Sequence, residues 1–283
     1  MDMQEMKKQF DSVIVAVVDE CKKENEIVNV LIRDDVFEIL ESHCKVIYYP
    51  LEDEDINGFH VTRTLCGQAC HFVYINTWNT RERQVFTAAH ELGHIWDAYS
   101  KVKSRFSEID EYAIEASKED GEEEPPEEFV SNKFAAQLLM PHDQFTDAVN
   151  DALKELDYNG RSISKVNLLR LIASLMDTFL VDYKAVTKRL KEIGRLRPDV
   201  FAIMRKYESE PEFSPTFDSI LKEGGHKRLN QRTEDNRNIS NLTDYIRKAE
   251  KSGCSLHSTI ATLKDEFKIK TAELSDQDSE VAF

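Results

Sequence analysis

Apolar positions in the first part of the chain, Phe10, Ile14, Val17, Val18 and Cys21, recur at helical spacing and predict an amphipathic helix over residues 4–24. Residues 33–42 read as a second helix. From Lys45 the pattern changes. Residues 45–51 are rich in β-branched and aromatic side chains and predict a strand. Residues 52–57 form an acidic turn ending at Gly58, and 59–65 and 71–76 alternate in places, giving two more strands. Helical spacing returns with Phe86, Ala89, Leu92, Ile95 and Trp96, behind polar Arg81, Glu82 and Arg83 and with Thr80 placed to cap the first turn. Phe134, Leu138 and a stop at Pro141 mark a further helix. Residues 142–157 form a short helical piece broken by Asn159-Gly160.

Val166, Leu169, Ile172, Ala173 and Met176 then mark a helix, followed by a turn over 177–181. Residues 183–193 form another, closed by Gly194, with Lys184, Lys188, Arg189 and Lys191 on its exposed side. This pair is similar to a helix-turn-helix, except that Leu180 stands where the turn glycine usually does. The signal fades from Pro198. Two amphipathic helices, 239–252 and 255–267, meet near Gly253, and 275–283 reads as a frayed tail. Helices, a small sheet and more helices predict an α+β fold. At 283 residues there is room for two compact units.

Chemistry enters at residues 87–94, Thr-Ala-Ala-His-Glu-Leu-Gly-His. On a helix, His90 and His94 lie one turn apart on one face and can share a zinc ion, with Glu91 directed at a water bound to it. The chemistry implied is hydrolysis of a peptide bond by a metal-activated water. Gly93 costs this helix roughly 1 kcal/mol against alanine, and its position predicts room beside the ion. The third ligand should be an acid on a second helix. Glu128 is the best candidate, with Asn132 four residues on, where it can accept a hydrogen bond from a ligating imidazole. Glu127 competes for the ligand role.

The stretch Phe86-Thr87-Ala88-Ala89-His90-Glu91-Leu92-Gly93-His94 follows Ile75-Asn76 and precedes Asn132-Lys133-Phe134-Ala135-Ala136-Gln137-Leu138-Leu139-Met140-Pro141. Together these segments resemble the ImmA/IrrE metallopeptidases over roughly residues 45–145. The resemblance implies a zincin-like core with a small sheet and two zinc-bearing helices, followed by a mainly helical region. It implies one zinc held by His90, His94 and Glu128, with Glu91 as base. It also implies a soluble endopeptidase that cuts a helix-turn-helix transcriptional repressor and so derepresses mobile-element or stress-response genes. The chain departs from the family pattern at Val130 and Ser131, which replace a frequent acid and the usual alanine. Ala98 stands where many members carry histidine, and the gap from His94 to Glu128 is long.

The division expected along the chain is residues 1–44 as N-terminal helices, 45–159 as the peptidase domain, 160–197 as the helical pair and 198–283 as a helical region without a catalytic motif. Within the peptidase domain, residues 107–128 carry eleven acids against one lysine and predict a mobile acidic insertion over 107–127. A formal net charge of −16 argues against direct nucleic-acid binding and suits a basic protein partner. The helical pair is accordingly read as packing or substrate docking.

Five scattered cysteines fit a reducing compartment. Cys66, Cys70 and His71 are read as a hairpin with its turn at Gly67, Gln68 and Ala69. The apolar run at 13–18 is too short for a leader or a membrane span, so a cytoplasmic location is expected. Tyr112 and His142 are candidates by position for a donor to the reaction's oxyanion. The rival reading is a non-catalytic, zinc-containing protein that sequesters a regulator. Intact Glu91 speaks against it, because a structural zinc site has no use for that acid.

Overall fold

The structure, a computed structural model, describes residues 2–27, 31–53, 55–65, 68–119, 123–156, 158, 160, 162–209, 214–226, 228–233, 236–252 and 257–269. Helix α1 (Met3–Glu24) opens on a capping box. Asp2 accepts from the Glu5 N–H at 2.8 Å, and Glu5 accepts from the Asp2 N–H at 3.3 Å. The predicted stripe, Phe10 to Cys21, is buried. A 3-10 turn at Arg33–Asp35 leads into α2 (Val36–His43).

Strands β1 (Lys45–Tyr49), β2 (Gly58–Leu65), β3 (Gln68–Asn76) and β4 (Asn238–Ile239) form one sheet in the order β2-β3-β1-β4. β1 runs parallel to β3, and β2 and β4 are antiparallel to their neighbours. β4 was not predicted. It occupies the start of the segment read as a helix from 239, and α13 (Leu242–Ser252) begins three residues later. Asn76, fully buried at the end of β3, organises the acidic loop. Its Oδ1 accepts from the Leu51 N–H at 2.9 Å, and its Nδ2 donates to the carbonyls of Leu51, Asp53 and Ile56.

The remaining helices are α3 (Arg81–Ile95), α4 (Ala98–Lys103), α5 (Ile109–Glu119), α6 (Pro126–Leu139), α7 (His142–Glu155), α8 (Lys165–Phe179), α9 (Tyr183–Glu192), α10 (Pro198–Met204), α11 (Lys206–Ser209), α12 (Ser214–Glu223) and α14 (His257–Glu266). Thr80 holds the N-cap position of α3 but makes no side-chain cap bond. α3 packs on the sheet and on α6. There Gly93 has a different role from the one its sequence position suggests. A Cβ at Gly93 would lie 3.2 Å from Phe134 Cδ1 and 3.3 Å from Ser131 Cα, so the glycine makes room for α6 and not for an ion. Ser131 Cα is backbone and cannot swing aside. Overpacking of roughly 1–3 kcal/mol should therefore exceed the ~1 kcal/mol of helix propensity gained. Gly93→Ala is expected to lose about 1 kcal/mol in urea unfolding, and a variant as stable as wild type would show that α6 gives way.

The acidic segment is also corrected. Residues 109–119 form α5, with Ile109, Tyr112 and Ala113 buried against Phe10, Phe106 and Phe129. Glu111 and Glu115 are exposed on the outer face of this packed helix. α8 runs to Phe179, further than expected. Leu180 then takes the left-handed conformation (φ 52°) that a turn glycine would supply. The solvent face assigned to α9 is narrower than predicted, because Arg189 is buried. It donates to Met140 O at 3.1 Å and also bonds Gln137 and Glu192. Of the turn expected at Gly67, Gln68 and Ala69, the last two belong to β3 and pair with Leu65 and Thr64. Cys66 and Gly67, Asn159 at the break, the junction at Gly253 and the tail at 275–283 lie outside the described residues.

One hydrophobic core runs from Met6 to Leu229, and a second, small cluster of Leu242, Ile246 and Ile260 joins α13 to α14. Between the two, the chain reaches back to the sheet and to the start of α3. Asn230 N–H donates to Glu82 at 2.6 Å, and Gln84 Nε2 donates to Thr233 Oγ1 at 2.6 Å. Thr77 Oγ1 donates to Asn236 O at 2.6 Å, and Val46 and Ser240 exchange two bonds of 2.9 Å. Among the described residues no helix is long and apolar enough to cross a membrane.

Candidate metal centre

Helical geometry places His90, Glu91 and His94 on the buried side of α3, and α6 runs alongside with Glu128 in its first turn. His90 Nε2 lies 3.1 Å from His94 Nε2 and 3.1 Å from Glu128 Oε2, while His94 Nε2 lies 3.4 Å from Glu128 Oε1. Zinc–nitrogen and zinc–oxygen bonds of about 2.0–2.1 Å in a tetrahedron require donor atoms roughly 3.3 Å apart. The three side chains therefore already hold the spacing that such an ion needs. They form a group able to bind a metal among the described residues, with ligand atoms all within 4.8 Å of one another. Glu128 is the carboxylate that reaches both imidazoles. Glu127, its competitor, is exposed on the same helix.

The surroundings orient these groups. Asn132 Oδ1 accepts from His90 Nδ1 at 2.9 Å, which leaves Nε2 free of that proton and turned to the site. Asn132 Nδ2 in turn donates to Glu124 at 3.2 Å. Hydrogen bonds from His90 and then His94 hold the Glu128 carboxyl well below the usual carboxylate range, against the effect of its partial burial. For His90, burial disfavours the charged form. The bond to Glu128 and the negative charges of Glu91 and Glu128 outweigh that and raise its pKa.

One residue of this constellation escaped the sequence reading. His60, on β2, places Nδ1 2.9 Å from Glu91 Oε2, and its ring lies 4.6 Å from that of His94. Strand alternation puts Gly58, His60 and Thr62 on one face, and a polar residue there opposite a helix is the only hint the sequence offers. The two proposed oxyanion donors are not near the site. Tyr112 is 5% exposed among Phe10, Phe106 and Phe129, and His142 is exposed at the start of α7.

His90, Glu91 and Glu128 line a cleft of about 710 Å³. Gly58 and Phe59 of β2 line one side. Asp182, the N-cap of α9, and Lys184, Lys188 and Glu192 of that helix line the same cleft. Glu192 sits between Lys133, which bonds one oxygen, and Arg189, 3.0 Å from the other. Burial raises its carboxyl pKa, but the charges of Lys133 and Arg189 prevail and pull it down to about 2. Its folded value is thus below its unfolded one. The stabilisation is full above about pH 4.5 and is lost as pH falls towards about 2. Glu192→Gln should cost roughly 2–3 kcal/mol at pH 7. In paired urea titrations the gap to wild type should narrow below about pH 4.5, and a gap that stayed constant to pH 3 would refute this account.

The family model of the peptidase M78, IrrE N-terminal-like domain matches residues 41–191. No curated protein and no solved structure matches the chain.

Proposed function

The chain belongs to the IrrE-like M78 peptidases, a family of zinc-dependent proteases, and we propose on that premise that it is a zinc endopeptidase acting on a helix-turn-helix transcriptional repressor. The observation that carries this reading is the convergence of His90, His94 and Glu128 at tetrahedral spacing, beside a cleft that His90, Glu91 and Glu128 line. These three residues would hold the ion. Zinc, when bound, supplies a Lewis acid that polarises a carbonyl and acidifies a water.

The chain's own groups do the rest. Glu91, 4% exposed, takes the proton of the attacking water and delivers it to the departing amine. The sheet order supports the binding mode. β4 covers the far edge through β1, while β2 lies at the edge beside the cleft. An extended substrate segment can add to β2 as a further strand, with Phe59, 48% exposed, offering an apolar contact for one of its side chains. The repressor as substrate rests on the family resemblance and on charge, since a net −16 attracts a basic DNA-binding protein. A reducing, cytoplasmic setting belongs to the same proposal.

The test is to incubate the zinc-loaded protein with a purified helix-turn-helix repressor encoded beside it, and separately with a peptide library, and to read the products by mass spectrometry. Discrete cuts are expected in both. An intact repressor held in a stoichiometric complex by a fully zinc-loaded protein would favour sequestration over cleavage.

A further inference from the structure

We propose that His60 is the positioning residue for Glu91: its Nδ1–H holds one carboxylate oxygen so that the other faces the water whose proton Glu91 must take. The proposal rests on the peptidase reading above. A glutamate has three rotatable bonds, and Glu91 adjoins a metal ligand. Left unrestrained, its carboxylate could turn away from the water or collapse onto the ion. His60 is well placed to prevent both. It comes from β2, packed across α3, and its Nδ1 lies 2.9 Å from Glu91 Oε2. Its ring lies against that of His94, centroids 4.6 Å apart and planes at 31°, so it cannot rotate freely.

An ionised carboxylate only accepts hydrogen bonds, so Nδ1 carries the proton of this contact. His60 is not one of the three converging metal donors. The edge strand therefore both borders the cleft and fixes the base, tying the binding surface to the reacting group through one side chain.

Amide substitutions separate the two ring nitrogens. Asparagine places an N–H about where Nδ1 lies, and glutamine places one about where Nε2 lies. His60→Leu is expected to lower kcat about 10–100-fold, the scale of a misplaced catalytic group, with KM within about twofold and one zinc per chain retained. His60→Asn should recover most of the loss and His60→Gln little. A second readout needs neither metal nor turnover. In the metal-free protein, His60→Leu should lower the melting temperature by a few degrees, because it leaves the Glu91 charge buried without its partner. The same change in a Glu91→Gln background should lower it less.

Rescue by glutamine in place of asparagine, or loss of zinc in His60→Leu, would mean that His60 acts through Nε2 on substrate or metal, and the proposal would fall. Equal melting losses in both backgrounds, with wild-type cleavage intact, would sink this role alone. Absence of cleavage by the wild-type protein would sink the peptidase reading and this role with it.

Discussion

Changing Glu91 to glutamine should leave zinc in place and cut peptide hydrolysis by about 10²–10⁴-fold, the contribution typical of a general base. Glutamine keeps the length and shape of the side chain, and its amide oxygen can still accept from His60 Nδ1, which lies 2.9 Å from Glu91 Oε2. What it lacks is the capacity to bind and release a proton near neutral pH. Glu91 stands apart from the donor set of His90, His94 and Glu128, so metal content should not change. Zinc per chain by elemental analysis and kcat/KM on a cut peptide read the two effects separately. A rate within a few fold of wild type would remove Glu91 as the base, and loss of zinc would mean that it serves the ion instead.

His94→Ala should take the metal itself. His94 Nε2 lies 3.1 Å from His90 Nε2 and 3.4 Å from Glu128 Oε1, so its removal opens one corner of a three-donor site. A lost partner of a ligand already weakens metal binding by about 10–100-fold. A lost ligand should exceed that, leaving near zero zinc per chain after dialysis. The fold should persist, because His94 is not part of the hydrophobic core, to which Leu92, Trp96 and Phe134 belong. Circular dichroism like that of wild type, together with absent zinc, is the expected pair of results. Full zinc retention would overturn the ligand assignment.

Local patterns in this sequence transmitted local facts well. The stripe from Phe10 to Cys21 belongs to one helix, and a pattern at 3.6 residues per turn carries it. The spacing of His90, His94, Glu128 and Asn132 implied two facing helices, and the structure brings these four residues together. Contacts between distant segments were not legible. His60 meets Glu91 across 31 residues, and nothing in β2 announces which histidine faces a helix.

β4 has two residues, too few for any period to emerge, and exists because β1 offers it an edge. Residues 107–127 misled for another reason. Their acids dominate any average, while Ile109, Tyr112, Ala113 and Ala116, spaced as one helix face, carried the structural signal. Gly93 shows that position on a helix does not tell whether a missing side chain serves an ion or a neighbouring helix.

The return of the chain to the sheet has a kinetic meaning. Val46 and Ser240 exchange backbone and side-chain bonds across 194 residues of sequence, and Glu82 and Gln84 in the first turn of α3 are bonded by Asn230 and Thr233. Contacts of such separation close late, because the entropy of a long loop must be lost before they form. A nascent chain that has exposed α3 and α6 to solvent still lacks those partners for the helix bearing His90 and His94. The first turn of α3 and the start of β1 therefore gain these contacts only once residues 230–240 have been made. Pulse-labelled hydrogen exchange should find the Val46 amide protected after those of α1.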